Sequence, residues 1–191
     1  MMKKIAILAS GNGTNAENII RYFRGRGTAE VSLLLTNRST AYVLQRAASL
    51  HVPACAFTKE EWADGQKPLE ALRAQGIDFV VLAGFLARVP DNVLHAYPGR
   101  MVNIHPSLLP KFGGKGMYGD RVHQAVIEAG ETESGITIHY TNEVYDEGVV
   151  VCQYHCPVLP GDTPETLAQR VHALEYEHYP RVIEELVQAL D

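Results

Sequence analysis

Long apolar runs are absent from this chain of 191 residues. None approaches the ~18 residues needed to cross a bilayer, so no membrane partner is expected. An excess of positive charge is absent too. Lys and Arg number 17 against 22 Asp and Glu, for a formal net charge of −5. No basic patch of the kind that grips nucleic acid is visible, so no nucleic-acid partner is expected. Cysteine is scarce and odd in number, with only Cys55, Cys152 and Cys156. That argues against a secreted disulfide framework and for a reducing cytoplasm. Repeats, linkers and low-complexity stretches are also missing, so one domain over residues 1–191 is expected. The opening Met1-Met2-Lys3-Lys4 and its short apolar run look like a signal peptide at first glance. Glycines and asparagines follow at once, so a first β-strand is the better reading.

What is present is alternation. Ile5–Ala9, Val31–Leu35, Asp78–Ala83 and the weaker Arg100–Ile104 are short, continuous apolar runs. Such runs suit parallel strands covered on both faces. Between them, Asn15–Arg24, Thr40–Leu50 and Lys59–Gln75 have helical length and mixed polarity. The pattern predicts an α/β, doubly wound, mostly parallel sheet. After Ala129 it changes. Gly135–Tyr140 and Val149–His155 are strand-like with no helix between them, which predicts a late antiparallel pair. A long C-terminal helix should begin at Thr163-Pro164, with Thr163 as cap and Pro164 in the first turn. Pro180 should kink or split it.

Three stretches carry candidate chemistry. Ser10-Gly11-Asn12-Gly13-Thr14-Asn15 lies between the first strand and a helix. Glycines there admit a close ligand, and the helix N-terminus offers unpaired N–H groups. The loop lacks a Walker lysine and the third glycine of a dinucleotide fingerprint, which favours a phosphate monoester. A tight turn needing glycine for geometry alone is the alternative. The second stretch is Asn103-Ile104-His105-Pro106-Ser107-Leu108-Leu109-Pro110, at a strand's carboxyl end, where open α/β sheets place their sites. Asn103 and His105 should share a face. An amide and an imidazole side by side could stabilise an oxyanion, or His105 could be a satisfied core histidine. The third stretch, Tyr140–Gly148, is acidic and turn-like. It could supply a carboxylate to the histidine or be a solvated hairpin loop.

Taken together, the Asn-Ile-His-Pro-Ser-Leu-Leu-Pro stretch, the Ser-Gly-Asn-Gly-Thr-Asn loop and Asp146 resemble the phosphoribosylglycinamide formyltransferases of purine synthesis. Val81–Phe85, Gly135–His139 and Glu175 ahead of Tyr179-Pro180 support the likeness, which runs from Lys4 to Val187. The resemblance implies transfer of a formyl group from 10-formyltetrahydrofolate, a co-substrate, to the amine of glycinamide ribonucleotide. It implies no metal, and small-molecule partners for a monomer or homodimer. Asn103, His105 and Asp146 would be catalytic, with Asp146 keeping His105 protonated. Gly11, Asn12, Gly13, Thr14 and Asn15 would hold the phosphate, and Glu175 would contact the same substrate. Lys59, Leu86, Ala87, Arg88, Val89, Asn103, Asn142, Glu143, Val144, Tyr145 and Asp146 would face the folate.

The sequence departs from that family's pattern in three places. Ala87-Arg88 displaces a basic residue by one position, Glu147 stands where a small residue is usual, and Lys111–Gly119 is rich in glycine. Two metal-like groupings fall short of a real site: Cys152, His155 and Cys156 lack the spacing of a zinc site, and His172, Glu175 and His178, at i, i+3 spacing on a helix, lack a second such helix. Trp62 and the nine tyrosines read as packing residues. Competing readings are another folate-dependent formyltransferase, a formyltetrahydrofolate hydrolase, or a non-catalytic phosphoribosyl-ligand binder.

Overall fold

Strand and helix alternate through most of the chain in a computed structural model that describes residues 2–190. The elements are β1 (Lys3–Leu8), α1 (Thr14–Phe23), β2 (Ala29–Thr36), α2 (Val43–Ser49), β3 (Ala54–Ala56), α3 (Lys59–Asp64) and α4 (Gln66–Ala74). They continue as β4 (Phe79–Leu82), α5 (Asp91–Ala96), β5 (Met101–His105), α6 (Asp120–Glu128), β6 (Glu133–Tyr140), β7 (Val150–Pro157) and α7 (Pro164–Gln188). The seven-stranded sheet reads β3-β2-β1-β4-β5-β6-β7. This is the doubly wound, mostly parallel sheet that the sequence predicts. The chain divides into two compact units, Met1–Val102 with Pro180–Asp191, and Asn103–Tyr179.

In the first unit, β1 pairs in parallel with both β2 and β4. Ile5 to Leu8 have no exposed surface, which is why that run is apolar without alternation. Helix α1 buries Ala16, Ile19, Ile20 and Phe23, one stripe at helical spacing. Each large apolar side chain taken fully inside stabilises by about 1.5–3 kcal/mol. The run Lys59–Gln75 is two helices rather than the single one expected. Thr58 forms a capping box with Glu61 to start α3, and Gly65, at φ 74°, ends it and starts α4. A side chain at Gly65 would strike Asn92 Oδ1 and lie 2.7 Å from Pro90 Cβ, so the break is packed into place. The three-residue β3 and helices α5 and α6 were not apparent in the sequence.

In the second unit, β6 and β7 pair antiparallel, from Glu133 opposite Pro157 to His139 opposite Val150. Thr163 Oγ accepts from the Thr166 N–H at 3.2 Å, capping α7 as expected. Pro180 does not split α7, which runs on to Gln188. Tyr179 and Ile183 are both fully buried, and that packing outweighs the one missing N–H.

Candidate active site

In the second unit, β5 presents Asn103 and His105, and β6 presents Thr137 and His139 from one of its faces. Thr137 organises the backbone beside them. Its hydroxyl donates to the Ser107 carbonyl at 2.7 Å and accepts from the Leu109 N–H at 3.0 Å. Asp146 comes from the loop between β6 and β7, at φ 58°, a left-handed conformation that a short Asp tolerates better than most residues. Its two oxygens face two histidines. Oδ2 lies 3.5 Å from His105 Nδ1, and Oδ1 lies 3.6 Å from His139 Nε2. The Gly114 N–H also donates to Oδ2 at 2.8 Å.

These contacts fix tautomers. His139 Nδ1 is 2.9 Å from the Tyr140 carbonyl, which only accepts, so Nδ1 carries the proton. His139 Nε2 is then free to accept from Asn103 Nδ2 at 3.2 Å. That orients the Asn103 amide and leaves its second N–H for another acceptor. His105 Nε2 lies 2.7 Å from the Phe112 carbonyl and so carries a proton as well. A second proton, on Nδ1 facing Asp146, would make the imidazolium. The structure thus brings Asn103, His105 and Asp146 together, with His139 as the link. His139 was quoted from the sequence but given no role. Its spacing of two residues from Thr137 was the available signal.

The first unit holds the glycine loop and five of the expected folate-facing residues. Ser10–Gly13 leads from β1 into α1, and Thr14 and Asn15 form the start of that helix. Ser10 is buried; its hydroxyl donates to Asn37 Oδ1 at 2.6 Å and accepts from the Leu86 N–H at 2.9 Å. Gly13 sits at φ 80° as the N-cap of α1. A side chain there would strike Val43, whereas one at Gly11 would meet nothing within 4 Å. The two glycines therefore differ: Gly13 is needed by the turn itself, and Gly11 is not. Of the expected folate-facing residues here, Lys59, Leu86 and Arg88 are exposed, Ala87 is half-buried and Val89 is buried. Trp62, a packing residue as expected, donates to the Arg88 carbonyl at 2.9 Å and meets Phe85 edge to face. In the second unit, Asn142 to Tyr145 are exposed, with Asn142 Oδ1 accepting from the Val144 N–H at 3.0 Å. Glu175 is buried on α7 and its Oε2 lies 2.8 Å from His172 Nδ1.

The sequence profile of the formyl transferase family matches residues 3–183. The chain belongs to the formyl transferase family. Over 191 residues it is 39% identical to the phosphoribosylglycinamide formyltransferase of Bacillus subtilis (strain 168), covering 97% of this chain and 95% of that relative. It is 43% identical to the chloroplastic enzyme of the same name from Arabidopsis thaliana, covering 95% of this chain but only 64% of that longer relative. Among solved structures, glycinamide ribonucleotide transformylase 1 from Geobacillus kaustophilus has a TM-score of 0.90 at 38% identity, covering 98% of this chain and all of that one (100%). Phosphoribosylglycinamide formyltransferase from Brucella melitensis gives 0.89 at 32%, over 100% and 98%.

The charge on His105 decides how well such a group could stabilise a developing oxyanion. Burial pushes the His105 imidazole below its ordinary value. The carboxylate of Asp146 and the Phe112 carbonyl pull the other way, and burial is the larger effect. This corrects the expectation that Asp146 keeps His105 charged: it favours the charged form without restoring it. Burial alone would raise the Asp146 carboxyl. The two histidines that face its oxygens, His139 and then His105, together with the Gly114 N–H, hold it below the ordinary value, so Asp146 is the ionised partner. Among the described residues no group of His, Cys, Asp and Glu is placed to hold a metal. No helix among them is long and apolar enough to cross a membrane. Cys55, Cys152 and Cys156 form no disulfide.

Proposed function

We propose that this protein transfers the formyl group of 10-formyltetrahydrofolate to the amine of glycinamide ribonucleotide, a step of purine synthesis. The observation that carries the reading is the convergence of Asn103, His105 and Asp146, with the second N–H of Asn103 left over for a developing oxyanion. The amine attacks the formyl carbon, forming one C–N bond. The second N–H of Asn103 and the Nε2–H of His105 receive the negative oxygen of the tetrahedral intermediate. The Phe112 carbonyl now occupies that Nε2–H, so the formyl oxygen takes its place as acceptor. Charge on the oxygen draws His105 toward imidazolium, which Asp146 stabilises. The intermediate collapses by breaking the bond to the folate nitrogen. The proton lost by the amine ends on that nitrogen, relayed by Asp146 through water.

In this reading Gly11 to Asn15 take the substrate's phosphate and Glu175 contacts the same molecule. Lys59, Leu86 to Val89 and Asn142 to Asp146 face the folate. The protein acts on these small molecules as one formyltransferase domain, a monomer or homodimer of the cytoplasm, without metal, nucleic acid or membrane. The test is spectrophotometric detection of tetrahydrofolate release, with and without glycinamide ribonucleotide. Release that depends on the ribonucleotide is expected. Release without it would point to a hydrolase, and no release under either condition would reject formyl transfer.

A further inference from the structure

Two successive carbonyls of the glycine loop are tied to α2. Gly11 O accepts from the Val43 N–H at 3.1 Å, and Asn12 O accepts from Arg46 Nε at 2.7 Å. In a planar trans peptide the carbonyl and the following N–H point in opposite directions. The N–H groups of Asn12 and Gly13 are therefore both turned away from α2. Gly13 O accepts from the Glu17 N–H at 2.9 Å, which points it along α1 and the Thr14 N–H back out of the helix end. The left-handed conformation of Gly13 allows such consecutive N–H groups to converge on an anion.

The Arg46 side chain does more than meet the Asn12 carbonyl. Nε lies 3.1 Å from Asn12 Oδ1, and Nη2 closes on the same oxygen. Nη1 pairs with Glu17 Oε2 at the first turn of α1. Hydrogen bonds from Arg46, then from Arg21, hold the Glu17 carboxyl below its ordinary value, so the Arg46 charge is matched locally. A planar fork reaches the carbonyl, the amide oxygen and the carboxylate at once; a lysine ammonium on a flexible stem does not reproduce that geometry.

We infer that Arg46 is a positioning residue of the phosphate site, holding the Asn12 carbonyl so that the Gly13 N–H faces the phosphate of the substrate. The inference rests on the reading of Gly11 to Asn15 as the phosphate loop. It differs from a direct charge contact, in which lysine would serve nearly as well as arginine.

The experiment uses wild type, Arg46→Lys and Arg46→Ala, with glycinamide ribonucleotide titrated by calorimetry and KM measured for both substrates. Losing charge-assisted hydrogen bonds of this kind should weaken ribonucleotide binding on the order of 10-fold or more in both variants. KM for the formyl donor should stay within about twofold of wild type. The Gly13 amide resonance of the Arg46→Lys variant should shift before any ligand is added, because the peptide is no longer held. An Arg46→Lys variant that binds as wild type does overturns positioning in favour of plain charge. Equal weakening of both substrates, together with a fall in Tm, overturns it in favour of general structural damage. A wild-type protein that binds no ribonucleotide overturns the phosphate reading itself, and this inference with it.

Discussion

The pairing of His105 with Asp146 can be tested by removing only the charge. Asp146→Asn is nearly isosteric, and its amide oxygen can still accept the Gly114 N–H that now reaches Oδ2 at 2.8 Å. Its amide NH2 would then take the Oδ1 position, toward His139 Nε2, and the neutral oxygen left facing His105 Nδ1 removes most of the pull toward imidazolium. At the observed separation of 3.5 Å, an ion pair is worth at most about 5 kcal/mol at an effective dielectric near 20. Burial already opposes the charged ring, so the part felt in the transition state is smaller. A loss of kcat on the order of 10²–10³ is expected, about 2.7–4 kcal/mol. His105→Ala should cost at least as much. Because the two groups act as one unit, the double variant should be little worse than the poorer single one. The assay is kcat at saturating substrates for wild type, both singles and the double. In parallel, NMR titration of the ring protons should show His105 binding its proton less readily in the Asp146→Asn variant. Losses that multiply, together with an unchanged His105 titration, would refute the pairing while leaving formyl transfer standing.

Gly11→Ala should keep wild-type stability and weaken ribonucleotide binding, since only a ligand would meet the new methyl group; unchanged binding by calorimetry would argue against close phosphate approach at Gly11. Gly13→Val should lower both stability and ribonucleotide binding, because the chain at φ 80° and Val43 both oppose a side chain; binding lost with Tm unchanged would show the turn to be more tolerant than its geometry implies. His123 is buried and pushed below its ordinary value, first by burial and then by His172. A depressed histidine binds its proton more weakly folded than unfolded, so its contribution is present above the unfolded value and lost as pH falls toward the folded one, at up to about 1.4 kcal/mol per pH unit; His123→Gln should therefore lose less stability than wild type on acidification below about pH 6.5, and parallel Tm curves would contradict this. Formyl transfer should persist after dialysis against a strong chelator, and activity that disappears and returns with zinc would refute the metal-free mechanism.

How much of this was legible in the sequence depended on how local each cause is. β1, β2 and β4 announce themselves because a strand covered on both faces needs apolar residues throughout. The start of α7 is legible because Thr163-Pro164 is a local cap. β3 is only three residues, too short to have a period of its own, and it forms because β2 offers it a parallel edge. The break at Gly65 reads as helix in sequence, and only its packing against Asn92 and Pro90 decides otherwise. The same holds in the site. Asn103 and His105 are two residues apart on one strand, so their common face is local information. His139 and Asp146 join them only through the pairing of β6 and β7 and the loop between. The sign of the His105 shift is less local still, because burial is a property of the whole surrounding fold.

The glycine loop carries this argument one step further. In sequence, Gly11 and Gly13 are the same signal, and a turn and a phosphate site predict the same letters. The structure separates them. Gly13 is accounted for by the turn alone, so its presence says nothing about a ligand. Gly11 has neither a left-handed backbone nor a neighbour that forbids a side chain. Geometry leaves Gly11 unexplained, and a ligand approaching the backbone would explain it. Arg46 strengthens that argument from outside the loop: a guanidinium itself fixed by Asn12 Oδ1 and Glu17 Oε2 holds a peptide carbonyl that a water could have satisfied. A turn does not need its peptide held that firmly, whereas an N–H that must meet a phosphate does.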